Sequence, residues 1–290
     1  MNRPRDDDAM GGLTEYDGAT FALLTQHGKE KVIGPLFADG WNAHVQLVRG
    51  FDTDSLGTFT RDIPRDGSQL EAARKKARMG MALSGLSLGL ASEGSFGAGA
   101  LGLYSMNLEL VILIDAERGI EIVGRAQAPG RHSHARVTTR EEVEEAARRF
   151  GFPEHGLVIR PGDENDRRIR KGVRSWDSLH EAFAEAQVQS SNAVVCLEND
   201  LRAHVNPTRM ANIVAATTDL IQRMRSRCSA CDAPGFGLAA RLPGLRCREC
   251  GVPTQEARAE QFECVACGHK DVRDLAVPDA DPSRCDECNP

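Results

Sequence analysis

Aromatic side chains are scarce: they make up 5% of 290 residues, with two Trp and two Tyr. A surface that grips single-stranded nucleic acid by base stacking draws on more of them. Positive charge is not in excess either. The formal net charge of −6 argues against a general binder of phosphate backbones, while leaving room for a local basic patch. No apolar run approaches the roughly 20 residues of a membrane span. The most apolar stretch, residues 79–91, is broken by glycines and serines, so no membrane partner is expected. The first 17 residues are polar and acidic and lack the apolar centre of a secretory leader. They are expected to form a disordered tail over 1–18. Cysteine is almost missing before residue 227, where Cys196 stands alone in an apolar strand as a small buried hydrophobe. With no leader in view, the expected compartment is the cytosol, and the cysteines point to metal rather than to disulfides.

What is present is enough for a full core, at 41% hydrophobic and 27% charged residues. The other eight cysteines form four Cys-x-x-Cys pairs: Cys228/Cys231, Cys247/Cys250, Cys264/Cys267 and Cys285/Cys288. Tetrahedral zinc takes four thiolates, and each such turn offers two. Gly251 and Gly268 directly follow their pairs, as a tight knuckle favours. Residues 227–290 therefore read as tandem zinc ribbons holding two structural zinc ions, with no open coordination position for catalysis. Sequential pairing, first with second and third with fourth, is expected over a cross-braced arrangement, which spacing alone leaves open. Acidic residues outnumber basic ones in this tail. Its expected use is docking, either self-association into a homodimer or capture of a protein or RNA partner.

Residues 19–226 alternate strand and helix patterns, which gives an α/β domain whose mixed sheet is flanked by helices. A strand at 19–25 ends in a polar turn and leads into a short helix at 29–37, whose second half Gly34-Pro35 puts in question. Residues 68–81 are rich in helix formers and open with Ser68 and Glu71 at capping-box spacing. An apolar run at 86–91 opens on Ser92-Glu93-Gly94-Ser95. Strands at 108–115 and 120–125 form a hairpin. Helices at 139–150, 175–187 and 207–225 alternate with strands at 157–160, 169–173 and 193–197, and Pro207 suits a first helical position.

The order of these features resembles the inosine triphosphate pyrophosphatase superfamily over residues 20–125. That superfamily carries a Thr/Ser-x-Asn-x-x-Lys turn after its first strand. Here Thr25-Gln26-His27-Gly28-Lys29 stands there, with His27 in the Asn place and Lys29 and Lys31 flanking the Lys place. The Glu-Asn-Ala-x-x-Lys-Ala helix of the superfamily is matched at Glu71, Ala73, Lys76 and Ala77, with Ala72 in the Asn place. Ser84-Gly85-Leu86 followed by Glu93-Gly94 resembles its Thr-Gly-Leu phrase and acidic turn. The resemblance implies Mg²⁺-dependent hydrolysis of a nucleoside triphosphate to NMP and pyrophosphate, with non-standard purine nucleotides as the substrates it suggests. Such chemistry needs carboxylates to hold Mg²⁺, cations to take phosphate charge, and an oriented water. Glu71 and Glu93 are the expected catalytic pair. Thr25, His27, Lys29 or Lys31, Lys76 and Arg61 are the expected phosphate contacts. The alternative is a catalytically degenerate nucleotide-binding module that recruits a partner through its zinc ribbons. The chain as a whole also resembles a bacterial family of unknown function.

A second constellation stands outside this resemblance. Glu198, Asp200, Arg202, His204 and Asn206 alternate with smaller or apolar residues just before the helix at 207. An extended chain would place all five on one face. Arg202, His204 and Arg209 beside that helix N-terminus are candidates for phosphate or base binding.

Overall fold

The computed structural model describes residues 15–51, 67–99 and 104–290. The first sheet is mixed, with strand order β2-β1-β3-β4-β5. Its strands are β1 (Thr20–Leu24), β2 (His44–Val48), β3 (Leu88–Ala98), β4 (Ser105–Asp115) and β5 (Ile120–Pro129). β1 runs parallel to both β2 and β3, and β3, β4 and β5 then alternate in direction.

Period-two alternation sorts the side chains of this sheet. On one face Phe21, Leu23, Leu90, Val111 and Leu113 pack against α1 (Glu30–Trp41) and α5 (Pro207–Arg225). On the other face Ala91, Leu110 and Ile112 meet Ala73 and Ala77 of α2 (Gln69–Ser84). The capping box read at Ser68 and Glu71 is formed and starts α2.

Two elements depart from the sequence reading. α1 continues through Pro35 to Trp41, because Ile33, Phe37 and Trp41 bury one stripe in the core and offset the ladder hydrogen bond that proline lacks. β3 does not open at Ser92; it runs straight through Ser92–Ala98, held along its length by antiparallel β4.

Between β5 and α5 the chain builds a second sheet of order β6-β9-β7-β8. It comprises β6 (His134–Val137), β7 (Leu157–Pro161), β8 (Arg170–Val173) and β9 (Val195–Asn199), all paired antiparallel. α3 (Arg140–Arg149) and α4 (Trp176–Gln189) cover one face, and Val143, Leu179, Phe183, Leu157 and Leu197 form a core separate from the first. After α5 comes a three-stranded antiparallel sheet of β10 (Phe236–Pro243), β11 (Ala257–Cys264) and β12 (Lys270–Asp274). Among the described residues no helix is long and apolar enough to cross a membrane.

Candidate functional site

β1 is the strand at which the first sheet changes direction of growth. The chain leaves its C-terminal end through α1 to β2 on one side, and returns through α2 to β3 on the other. Ligands of open α/β sheets sit in the crevice at such a point. β3 pairs with β1 only at Gly89 and Leu90, so its continuation carries Ser92 and Glu93 past the end of β1, towards the turn 25–29.

Alternation along β3 then distributes the chemistry. Ser92 shares the face of Leu90, and there the buried Lys29 amine donates to its carbonyl at 2.7 Å and approaches its Oγ at 3.4 Å. Burial, followed by the nearby Arg209 charge, pulls the Lys29 pKa down to about 8. Glu93 lies on the opposite face and forms a buried ion pair with Lys76 of α2. Gln69 braces this side, donating to the Glu93 carbonyl at 2.7 Å and accepting from Ser95 Oγ at 3.0 Å.

The adjoining strand adds a residue that sequence reasoning missed. Glu109 is fully buried and takes two hydrogen bonds from Arg209, at 2.6 and 3.1 Å. Asn107 donates to the same carboxylate at 3.0 Å and accepts from Asn212 at 2.7 Å. Arg209 also donates to the Leu201 carbonyl. Only glycine fits at position 94, because a Cβ there would lie 2.7 Å from the Glu109 carboxyl carbon and collide with Arg209. Three cations and two carboxylates thus sit in one low-dielectric region, an arrangement whose desolvation cost is high. Beside it a cavity of ≈ 310 Å³ opens at the ends of β1 and β2, lined by Thr25, Gln26, Gly28, Glu30, Arg49 and Phe51 among others.

The remaining candidates of the first constellation are placed differently. Thr25 is half-buried in the turn, where its Oγ1 accepts from the His27 N–H at 3.5 Å. Lys31 is exposed on α1, so of the two lysines it is Lys29 that enters the cluster. Glu71 is not brought to Glu93. Its carboxylate accepts from the Ser68 N–H at 2.7 Å at the exposed start of α2, and those hydrogen bonds hold its pKa below the usual carboxylate range. Arg61 lies outside the described residues.

The second constellation is not one extended face. β9 ends at Asn199, and a 3-10 turn over Ala203–Val205 breaks the alternation. Glu198 pairs with buried Arg160 at 3.2 Å; Asp200 pairs with Arg202 at 2.7 Å and accepts from the Gly172 N–H at 3.0 Å. Asn206 caps α5 through the Arg209 N–H. The 3-10 turn nevertheless brings this segment to the first crevice: the His204 and His27 rings stack at 5.2 Å with an interplanar angle of 13°. Of the second constellation, His204 and Arg209 thus reach the first crevice, while Glu198, Asp200 and Arg202 are engaged at the second sheet.

The eight tail cysteines form two groups whose ligand atoms all lie within 4.8 Å of one another. Sulfur separations are 3.8 and 3.7 Å in one group and 3.8 and 3.5 Å in the other. Four sulfurs about 2.3 Å from a tetrahedral zinc stand about 3.8 Å apart, so both groups fit a structural zinc ion. The pairing is cross-braced, not sequential: Cys228, Cys231, Cys264 and Cys267 make one site, and Cys247, Cys250, Cys285 and Cys288 the other. Strand direction is the reason. Antiparallel pairing sets Phe236 opposite Cys264, which brings the first and third knuckles to one end of the sheet. The second knuckle lies in the β10–β11 connection at the other end, and β12 carries the chain back to that end before the fourth. Gly251 and Gly268 hold φ of 73° and 71° in their knuckles.

Residues 76–290, about three quarters of the chain, match the family described as domain of unknown function (DUF6671). The match takes in Lys76, Glu93, Glu109, Arg209 and all eight tail cysteines. No curated protein matches the chain.

Proposed function

The chain belongs to the DUF6671 family, whose description carries no activity, and we propose from its own geometry that it is a nucleoside triphosphate pyrophosphohydrolase. The observation that carries this reading is the convergence of Lys29, Lys76 and Arg209 with Glu93 at the end of β1, where the sheet changes direction. Phosphate oxygens need cations and hydrogen-bond donors, and a buried position strengthens both. The resemblance to the inosine triphosphate pyrophosphatase superfamily supports the same place, since its phosphate lysine and acidic turn correspond to Lys76 and Glu93. The hairpin of β4 and β5 also stands where that resemblance expects one.

In this reading Lys29 and Lys76 draw the triphosphate into the crevice, and the stacked His27 and His204 border it. Glu93 is a hard oxygen donor, and it fits Mg²⁺ of the kind held by one or two carboxylates together with substrate phosphates. Bound there, Mg²⁺ would offset charge on the phosphates. Arg209 keeps Glu109 neutralised and fixes α5 against β4. Non-standard purine nucleotides are the substrates the resemblance suggests.

The ion pairing of both buried carboxylates, with Glu71 committed to a helix cap, favours a second reading: a nucleotide-binding module without turnover, recruiting a partner through its zinc tail. Pyrophosphate release from a panel of triphosphates including ITP and XTP, with and without Mg²⁺, separates the two. Hydrolysis predicts Mg²⁺-dependent turnover that falls at least 100-fold in Glu93→Gln while the circular dichroism is unchanged. Binding of a triphosphate without release supports the second reading. Neither binding nor release by folded, zinc-loaded protein sinks both.

A further inference from the structure

The edge of the first sheet opposite β2 is formed by β5, and there the zinc-bearing sheet comes against it. Between them lies a cavity of ≈ 380 Å³, walled by β5, the last turns of α5, β10 and the third cysteine knuckle. Its apolar surface comes from Val123, Leu238 and Val265. Two arginines line it. Arg223 is fixed, with Nε donating to Asp219 at 2.9 Å and a terminal nitrogen to the Leu238 carbonyl at 3.2 Å. A side chain at Gly237 would come within 2.8 Å of that guanidinium, so glycine leaves Arg223 its place in the wall. Arg125 differs: its backbone N–H is taken by Asp219 at 2.8 Å, yet among the described residues its exposed guanidinium has no partner.

The two acids that line the same cavity are already matched. Glu121 receives two 2.7 Å hydrogen bonds from Arg74, and Glu263 lies 3.6 Å from Lys270. An open cationic group at the mouth of a partly apolar cavity selects an anion with an apolar body.

We propose that this seam is a second ligand site, for a small organic anion that carries one acidic group on a flat apolar body. Arg125 takes the acidic group, and Val123, Leu238 and Val265 take the body. The site is separate from the crevice at β1, and it exists only while the metal-bearing sheet is folded, since that sheet supplies one wall.

The test uses 1-naphthoate as the probe, titrated calorimetrically into full-length, zinc-loaded protein. The expected result is one site per chain, at least tenfold weaker for the uncharged 1-naphthamide. Arg125→Glu and the cavity-filling Leu238→Trp should each weaken naphthoate at least tenfold, whereas Lys76→Met should leave it unchanged. Equal affinity for acid and amide, indifference to both seam variants, or no binding at millimolar probe overturns the proposal. Loss of naphthoate binding in Lys76→Met would place the probe in the other crevice and overturn it too. Nucleotide binding is measured on the same variants, so failure at the seam and failure of the hydrolase reading are distinguished.

Discussion

At the scale of single residues the protein spends stability on burying charge. Lys29 shows the cost most directly. Its folded pKa of about 8 lies below its ordinary 10.5, because burial and the Arg209 charge disfavour the ammonium form. Below pH 8 the amine is charged in both folded and unfolded chains, and the full penalty is present. Between about 8 and 10.5 the folded chain releases a proton that the unfolded chain still holds, so this residue's contribution to stability improves as pH rises. The phosphate affinity of the proposed function would have the opposite sign, since it needs the ammonium. The expected outcome is that triphosphate binding weakens through pH 8 by about tenfold or more, and that Lys29→Met binds weakly and without that pH step. Isothermal titration between pH 6.5 and 9.5 checks it. A step of the same size in Lys29→Met would assign it to another group. Part of this cluster was legible: the order of residues along the chain singled out Lys76 and Glu93, which the fold brings into one ion pair. Glu109 was not, because an acid within an apolar strand gains its meaning from Arg209, a hundred residues later. Gly94, expected in an acidic turn, lies within β3, and its constraint is the space that this ion pair occupies.

At the scale of elements, local signals were readable and long-range pairing was not. The capping box of α2, the β4–β5 hairpin and Pro207 at the start of α5 all follow from neighbours in sequence. The four cysteine knuckles are equally local. Which knuckle meets which depends on the antiparallel course of β10, β11 and β12, and spacing does not encode that. The same limit explains the segment after β9: its alternation suggested a strand, while Asp200, buried by the Gly172 N–H and Arg202, turns the chain into a 3-10 helix. Cross-bracing has a direct test. The double variant Cys231→Ser/Cys267→Ser damages one site in the arrangement seen and two sites under sequential pairing. The expected zinc content by mass spectrometry under native conditions is one ion per chain, against two in the parent. A metal-free double variant would contradict the strand-directed pairing.

At the scale of the whole molecule the three sheets are stabilised by different means. Among the described residues the first two sheets have apolar cores closed by α1 to α5, all before Ser226. The third has a small cluster of Cys228, Phe236 and Cys264, with Ala233 and Phe262 packed beside it, and further buried positions at Cys247, Ala259, Ala280 and Cys285. So small a cluster gives little apolar burial to set against the conformational entropy of ordering this part of the chain. Thiolate coordination at the two four-cysteine groups would then be a main source of its stability. Removal of zinc should therefore unfold residues 228–289 and leave the helices standing. Contacts cross the seam at Gly235 against Ile122 and at Arg223 on the Leu238 carbonyl, so the loss should be felt along the adjoining β5. The expected observation with a zinc-selective chelator is a helical circular dichroism signal close to that of the loaded protein. Amide exchange in β10, β11 and β12 should rise to the rate of an unstructured chain, and protection should fall locally along β5. Collapse of the helical signal on chelation would show instead that the α/β part depends on its zinc-bearing neighbour for its own fold.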